Sequence, residues 1–103
     1  MGKELALPRK WTFRAHGEQV VLVKKAFESA AHVWMKALLW ALFLPDYPEL
    51  SVEIDICGRY KPDLVQLDNR GEPVFWAEAG RVGRRKMSAL VQRFRSTHLV
   101  FAK

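Results

Sequence analysis

The chain has 103 residues, of which half are hydrophobic. This length and composition predict a single globular domain over residues 1–103 and exclude a disordered chain. The one cysteine, Cys57, excludes an internal disulfide, is expected to be a small buried strand residue, and favours a reduced, cytoplasmic location. No secretory signal is predicted in Met1–Pro8. The longest apolar region, residues 26–44, contains charged residues, so no membrane span is predicted.

Two elements are predicted in the N-terminal half. Lys10–Ala15 alternates apolar with polar residues and predicts an extra N-terminal strand. A helix is predicted from Glu18 to about Phe43, because apolar residues recur at the spacing of a stripe that faces a core. Its last two turns, Leu38–Leu44, are apolar on all sides, so we expect that end to be covered from more than one direction. The stripe consists of Val20, Val23, Phe27, Ala30, Ala31, Trp34, Leu38, Ala41 and Leu42.

Several acids before residue 60 have simple interpretations. On the predicted helix, Glu28 lies one turn before His32, and such a surface pair contributes about 0.2–0.5 kcal/mol. The stretch Ser51–Cys57 alternates apolar with polar residues and predicts a strand with one buried face. Two acids on the polar side of that strand, Glu53 and Asp55, are expected to face solvent or a basic neighbour.

A β-hairpin is predicted over residues 60–79, around the turn cluster Asp68–Glu72. Alternation places every second side chain on the same side of the sheet. Two carboxylates directly opposite one another cost roughly 0.2–1 kcal/mol unless a cation or a proton lies between them. The acid pair of this hairpin therefore predicts a metal site. The alternative is that the first acid is a turn residue after Pro62 and the second an exposed strand-end charge. A turn centred on Arg70-Gly71 opposes Leu67 to Val74, Val65 to Trp76 and Asp63 to Glu78.

The excess positive charge of the chain lies directly after this hairpin. A helix is predicted from about Val82 to Arg95, with an apolar stripe that includes Leu90 and Phe94. Residues 81–95, which begin one residue before this helix, carry six cations and no acid, whereas the charges of the rest of the chain balance. Its basic face is either simply solvated or in contact with the phosphates of a nucleic acid. The cations are Lys86 and the five candidate phosphate-binding residues Arg81, Arg84, Arg85, Arg93 and Arg95.

The last predicted strand completes a mixed fold. Thr97–Ala102 is short and rich in β-forming residues. A strand, a helix and a strand normally form a right-handed parallel crossover, which places this strand beside the one that ends at Glu78. We therefore predict an α/β fold of the mixed α+β kind, with a central mixed four-stranded sheet flanked by helices. The predicted order is helix, three strands, helix, strand.

Three features of this sequence resemble the signature of PD-(D/E)XK nucleases: Pro62-Asp63, a hairpin, and Glu78 fifteen positions after Asp63. The stretch from Glu28 to Phe101 is similar to the YaeQ family of that superfamily. Its members also read as an acid-containing helix, the sequence PDL, a hairpin, and W-x-E-x-G followed by a basic helix. The resemblance implies the restriction-endonuclease-like fold, whose αβββαβ core has the order that the pattern predicts.

The resemblance also implies roles for individual residues. In the superfamily the two acids hold Mg²⁺, and a lysine two residues after the second acid positions the attacking water. Asp63 and Glu78 would thus hold Mg²⁺ or Mn²⁺, with Glu28 as a third or water-mediated ligand. The place of the lysine is taken by Gly80, so the signature departs at its third element. Lys86 would be the displaced catalytic lysine, because the resembled family carries a lysine near that position.

Three functions stay open at this point. The first is a metal-dependent phosphodiesterase acting on DNA or RNA, between which the sequence does not decide. The second is a nucleic-acid-binding module that has a nuclease-like fold and no catalysis. The third is a protein-interaction domain whose basic helix docks an acidic partner. A homodimer is compatible with each of them, and no membrane partner is expected.

Overall fold

A computed structural model describes residues 9–56 and 58–103, so the predictions for Met1–Pro8 and Cys57 lie outside the described residues. Two sheets and two helices make up the described chain. No helix in this part is long and apolar enough to cross a bilayer. The elements are β1 (Arg9–Ala15), β2 (Glu18–Lys24), α1 (Ala30–Phe43), β3 (Ser51–Val52), β4 (Leu64–Leu67), β5 (Pro73–Ala79), α2 (Arg84–Arg93) and β6 (His98–Ala102).

The larger sheet has four strands in the order β3-β4-β5-β6. Strands β3, β4 and β5 are antiparallel, whereas β6 runs parallel to β5 after the α2 crossover. This confirms the predicted mixed sheet and the predicted order of helix, three strands, helix and strand. The predicted N-terminal strand is also present. It belongs to a separate two-stranded antiparallel sheet, β1-β2.

The prediction that the first helix begins at Glu18 is wrong, because Glu18–Lys24 forms strand β2. His16 and Gly17 both adopt positive φ, at 54° and 75°, and Ala15 pairs with Glu18. Two central residues with positive φ make a two-residue hairpin turn that suits the twist of the flanking strands. The valine-rich run after Gly17 then extends as a strand paired with β1.

Helix α1 begins only after Ser29, whose hydroxyl accepts a hydrogen bond from the His32 N–H at 3.1 Å. This later start places a different face against the core. Most of the stripe predicted to face the core is solvent-exposed, including Trp34, Leu38 and Leu42, whereas Ala41 is partly buried against the core. The predicted stripe includes Val20, Val23 and Phe27, which are not helical, so its phase differs from that of the helix. The buried residues of α1 are Val33, Lys36, Ala37, Leu39 and Trp40.

The four-stranded sheet has a helix on each face. Alternation along β4 and β5 divides their side chains between two apolar clusters. On one side, Leu64, Phe75 and Ala77 pack with Leu39 and Trp40 of α1. On the other side, α2 covers a second cluster. That cluster contains Val65, Trp76, Leu90 and Phe94.

The register of the β4-β5 hairpin agrees with the prediction near the acids and differs near the turn. Val65 pairs with Trp76 as predicted, but a shift after Gln66 pairs Leu67 with Pro73, so the predicted pairing of Leu67 with Val74 is wrong. The reason lies in the turn, where the Asp68 carboxylate accepts hydrogen bonds from two backbone N–H groups, at 2.8 and 3.0 Å. These hydrogen bonds shape the turn so that Val74 is left without a partner on β4, and the regular pairing begins with Gln66 and Phe75.

Two other predicted elements are shorter in the structure. The strand predicted over Ser51–Cys57 is present only as Ser51–Val52. Glu53, with φ 51°, leaves the extended conformation and ends it. Ile56 is buried in a single bridge with Tyr60. Helix α2 also begins two residues later and ends two residues earlier than predicted.

The N-cap role of Ser29 can be tested by whether a Ser→Ala substitution lowers or raises the stability of the protein. Ser29→Ala should lower the free energy of unfolding by about 1 kcal/mol, because it removes the N-cap hydrogen bond. Ser88→Ala, in the exposed interior of α2, should instead raise it by a few tenths of a kcal/mol, since alanine has the higher helix propensity. Urea unfolding measures both, and a stabilising Ser29→Ala would contradict a helix that begins there.

Candidate carboxylate site

Asp63 and Glu78 lie at the end of the β4-β5 hairpin that is remote from its turn. Leu64 pairs with Ala77 at the end of the ladder, and one further step in the same register sets Asp63 opposite Glu78. Asp63 Oδ2 accepts a hydrogen bond from the Ala79 N–H at 2.7 Å. The two carboxylates are close enough that the charge of Asp63 helps to raise the pKa of Glu78.

Glu78 is a buried acid on the side of the sheet that α2 covers. Its side chain is 7% exposed, and Trp76 Nε1 donates a hydrogen bond to its Oε2 at 2.9 Å. Burial is the main cause that raises the pKa of Glu78 above its usual value. The charge of Asp63 adds to this effect, while Trp76 and Lys86 oppose it. Glu78 therefore ionises more easily when a cation lies beside it.

Lys86 reaches this acid from the first turn of α2. Its Nζ lies 3.6 Å from Glu78 Oε2, and its side chain is half-exposed. The short link from Ala79 to α2 makes this approach possible, and Gly80 turns the chain there with φ 90°, which only glycine adopts readily. The structure thus brings Lys86 to the acid pair, whereas Gly80 has no side chain to contribute.

Glu28 lies beside the site, but protein donors occupy both of its oxygens. Oε2 is 2.8 Å from Lys36 Nζ and 2.5 Å from His32 Nδ1, and Oε1 accepts from the Lys25 N–H at 2.9 Å. Burial raises the pKa of Glu28. These hydrogen bonds outweigh the burial and lower the pKa to about 2. Glu28 is therefore an ionised anchor for its neighbours and offers little to a metal ion.

Lys36 is the fully buried cation that Glu28 holds, and sequence reasoning missed it. Its Nζ also lies 3.2 Å from Glu53 Oε1. Glu53 was expected to face either solvent or a basic neighbour, and the structure gives it the basic neighbour. Burial lowers the pKa of Lys36, but the bond to Glu28 and the charge of Glu53 outweigh it and raise the pKa. One signal was available, because Lys36 is the only Lys, Arg, Asp or Glu among the fourteen residues of α1.

His32 links this buried ion network to the acid pair. Its Nδ1 contacts Glu28, and its Nε2 lies 3.1 Å from the Ala79 carbonyl oxygen and 3.7 Å from Asp63 Oδ2. A Cβ placed at Gly80 would lie 3.6 Å from the His32 ring, which is an ordinary packing distance. His32 thus fixes α1 against the end of β5, next to Asp63.

The five candidate phosphate-binding arginines are all exposed. None of them forms an ion pair with a residue in 9–56 or 58–103. Arg84 and Arg85 lie in the first turn of α2, next to Lys86. Arg81 lines a cleft of about 560 Å³ at the ends of β5 and β6. Arg93 and Arg95 lie at and just beyond the other end of α2, so the five arginines are divided between the two ends of the helix.

The donors present fit a metal site with two carboxylates better than one with three. In the part of the chain that the structure describes, no group of three or more His, Cys, Asp and Glu side chains could hold a metal ion. Asp63 Oδ1 and Glu78 Oε1, however, accept no hydrogen bond from any described residue. Mg²⁺ is commonly bound by one or two carboxylates, with water and substrate phosphate completing its shell.

Comparisons with known proteins give one structural likeness. No protein-family model matches this sequence, and no curated protein matches it. The structure is similar to that of the YaeQ protein from Xanthomonas axonopodis pv. citri, with a TM-score of 0.68 and 21% sequence identity. The match covers 93% of this chain and 56% of that one, so this chain spans little more than half the length of that protein. The likeness confirms the YaeQ-like fold.

The buried ion network around Lys36 should dominate the stability of this region. Lys36→Met should lower the free energy of unfolding by roughly 3–5 kcal/mol, because it leaves Glu28 and Glu53 without their buried cation. The control Lys61→Met removes an exposed lysine and should change stability by about 0.5 kcal/mol or less. Urea denaturation measures both. Equal effects of the two substitutions would exclude a structural role for the network.

Proposed function

We propose that this protein is a metal-dependent phosphodiester hydrolase of the PD-(D/E)XK type that acts on nucleic acid, with Asp63 and Glu78 as the metal ligands. One observation carries the proposal. Two carboxylates with unused oxygens lie at the same end of the β4-β5 hairpin, and Lys86 Nζ is 3.6 Å from one of them. The bound Mg²⁺ or Mn²⁺ would polarise a phosphoryl oxygen of the substrate and activate a water molecule.

The electrostatics of the pair favour a divalent cation. Burial and the neighbouring charge of Asp63 both disfavour the ionised form of Glu78, and two close like charges are stabilised when a cation lies between them. Lys86 alone supplies one positive charge from an exposed position. A divalent ion would supply two, at the unused oxygens of the acids.

Lys86 takes the role of the displaced lysine in this proposal. Its ammonium group would hold a phosphate oxygen or the attacking water beside Glu78, where the signature position itself is Gly80. Glu28 assists from further away. Its carboxylate forms a hydrogen bond with His32, and His32 contacts the Ala79 carbonyl oxygen. The N–H of Ala79 in turn donates a hydrogen bond to Asp63.

The basic residues on and around α2 would bind the phosphates of the substrate. Arg81, Arg84 and Arg85 lie at the N-terminal end of α2, the end that carries Lys86, and their lack of ion-pair partners among the described residues leaves them available. Arg93 and Arg95 would extend the contact along the ten residues of α2, roughly 15 Å. Successive phosphates of one strand of B-DNA advance about 3.4 Å along the helix axis, so a helix of this length laid along that axis would span roughly four nucleotides.

A nucleic-acid-binding module without catalysis is the second candidate, and a specific observation favours it. Gly80 stands where the signature places its lysine, and Lys86 is already engaged with Glu78 at 3.6 Å. Under this alternative, binding depends on the arginines alone and persists when the acids are replaced.

A Mn²⁺ titration tests the metal site directly. Calorimetry should show one Mn²⁺ bound to the wild-type chain and at least tenfold weaker binding to Asp63→Asn/Glu78→Gln. Because the pKa of Glu78 is raised, protons compete with the metal, and the apparent affinity should increase as the pH rises through that pKa. Nicking of supercoiled DNA and cleavage of single-stranded RNA, both with Mn²⁺, measure activity.

The control for charge is Asp55→Asn/Glu72→Gln, which neutralises two exposed acids outside the site and should leave metal binding unchanged. Lys86→Gln should reduce cleavage at least tenfold while metal binding persists. Nucleic-acid binding without cleavage, equal in wild type and in the acid double variant, would reject the hydrolase and support the binding module.

Phosphate binding by α2 is tested through its salt dependence. Arg84→Gln/Arg85→Gln should weaken binding to unrelated DNA sequences alike and reduce the slope of log K against log salt by about 2. Lys10→Gln/Arg70→Gln removes two exposed charges from other elements and serves as the control. Equal slopes for the two double variants, measured by fluorescence anisotropy, would show that α2 is not the phosphate-binding surface.

A further inference from the structure

Helix α1 exposes a row of large apolar side chains on the face directed away from the four-stranded sheet. Trp34, Leu38 and Leu42 are four residues apart, so they lie in one line along the helix. They are 52%, 63% and 67% exposed. The all-apolar end of this helix led us to expect a cover on more than one side, and no described residue supplies it here. Exposed apolar rows of this kind mark interaction sites.

A groove runs beside this row, between α1 and β1. It has a volume of about 320 Å³. The aromatic side chains on one side of the groove pack against one another. The Trp34 ring lies 5.1 Å from that of Phe13 and 6.5 Å from that of Trp11. A wall that is already packed requires little ordering when a ligand binds. The groove is lined by Thr12, Phe13, Arg14, Trp34, Ala37, Leu38, Trp40 and Ala41.

The edge of β1 borders the groove. Successive side chains of a strand point to opposite faces, yet the consecutive residues Thr12, Phe13 and Arg14 all line the groove. The groove therefore meets the strand along its edge, where backbone N–H and C=O groups lie. Among the described residues β1 pairs with β2 alone. An exposed strand edge is a template for the addition of another strand.

The charge around the groove is positive. Lys10 and Arg14 are exposed residues of β1, and neither forms an ion pair with a described residue. Arg14 donates a hydrogen bond to the neutral Gln19 side chain at 3.1 Å. The charged residue of α1, Lys36, is buried on the opposite face. A ligand that carries carboxylates would therefore find cations without acidic partners beside the apolar row.

We propose that this groove binds an extended segment of another protein, in which apolar residues alternate with acidic ones. The segment adds a strand to the edge of β1. Its apolar side chains pack against Phe13, Trp34 and Leu38, and its carboxylates face Lys10 and Arg14. A second copy of this chain fits less well, because both copies carry a net charge of +6 and would repel each other. The surface lies apart from Asp63 and Glu78, so this proposal is independent of the proposed hydrolase activity.

The experiment selects ligands from a library of random twelve-residue peptides displayed on phage. The full chain is the bait, and Leu38→Glu is used for counter-selection. Selected peptides should alternate apolar with acidic residues. Synthetic fluorescein-labelled copies should bind at least tenfold more weakly to Leu38→Glu and to Lys10→Glu/Arg14→Glu. Val91→Glu is the matched control, because Val91 is 53% exposed on α2, and this variant should bind as the wild type does.

Several outcomes would overturn the proposal. The proposal is wrong if the selection enriches no peptide. It is also wrong if the selected peptides bind Leu38→Glu and Val91→Glu equally well. A wild-type dimer that Leu38→Glu dissociates in sedimentation would assign the face to self-association instead. Flotation with vesicles of anionic phospholipid that is lost in Leu38→Glu would assign it to a membrane. Thermal unfolding of each variant confirms that it is folded, which is expected since all the altered side chains are exposed.

Discussion

The candidate site depends on one buried cation. Lys36 has no exposed surface, and it is held between Glu28, before α1, and Glu53, after β3. A buried ammonium group is tolerated only when its charge is matched and its hydrogen bonds are made. These ion pairs therefore fix three separate parts of the chain relative to one another. His32, one turn before Lys36, then reaches the end of β5 in a defined position.

The acid pair is contacted from both helices. Glu78 belongs to the side of the sheet covered by α2, through its hydrogen bond from Trp76 and its contact with Lys86. Asp63 is held by the backbone of Ala79 and approached by His32 from α1. Each acid thus has its own support, and neither uses both of its oxygens in contacts with the described residues. Both helices must be in place for the two carboxylates to stay together.

The hairpin could be predicted from the sequence because its cause is local. The turn residues Asp68–Glu72 and the alternation on either side fix the pairing of Val65 with Trp76, and this pairing carries Asp63 and Glu78 to the same level. The crossover through α2 follows from the handedness of strand–helix–strand units. The register shift beside the turn was not predictable, because it depends on side-chain hydrogen bonds made by Asp68.

The first half of the chain was harder to predict, because its pattern is compatible with two periods. Residues 18–24 are apolar at helical spacing and also extend readily as a strand, and the decision lies in a His16-Gly17 turn with positive φ. Because of this error the predicted phase of the helix was wrong, and most of the helix residues predicted to face the core are exposed to solvent. The burial of Lys36 could not be predicted, since its two acidic partners come from segments whose approach depends on the tertiary fold.

The register shift between Gln66 and Leu67 separates the irregular pairing beside the loop from the regular pairs that lead to the acids. A ladder without an irregularity would transmit a change in loop length along both strands and move the acids out of alignment. Here the irregularity lies one residue from the loop, and the remaining pairs keep the predicted partners. The loop at Asn69 is thus a position where a spectroscopic label or a short grafted epitope could be introduced while the far end keeps its geometry.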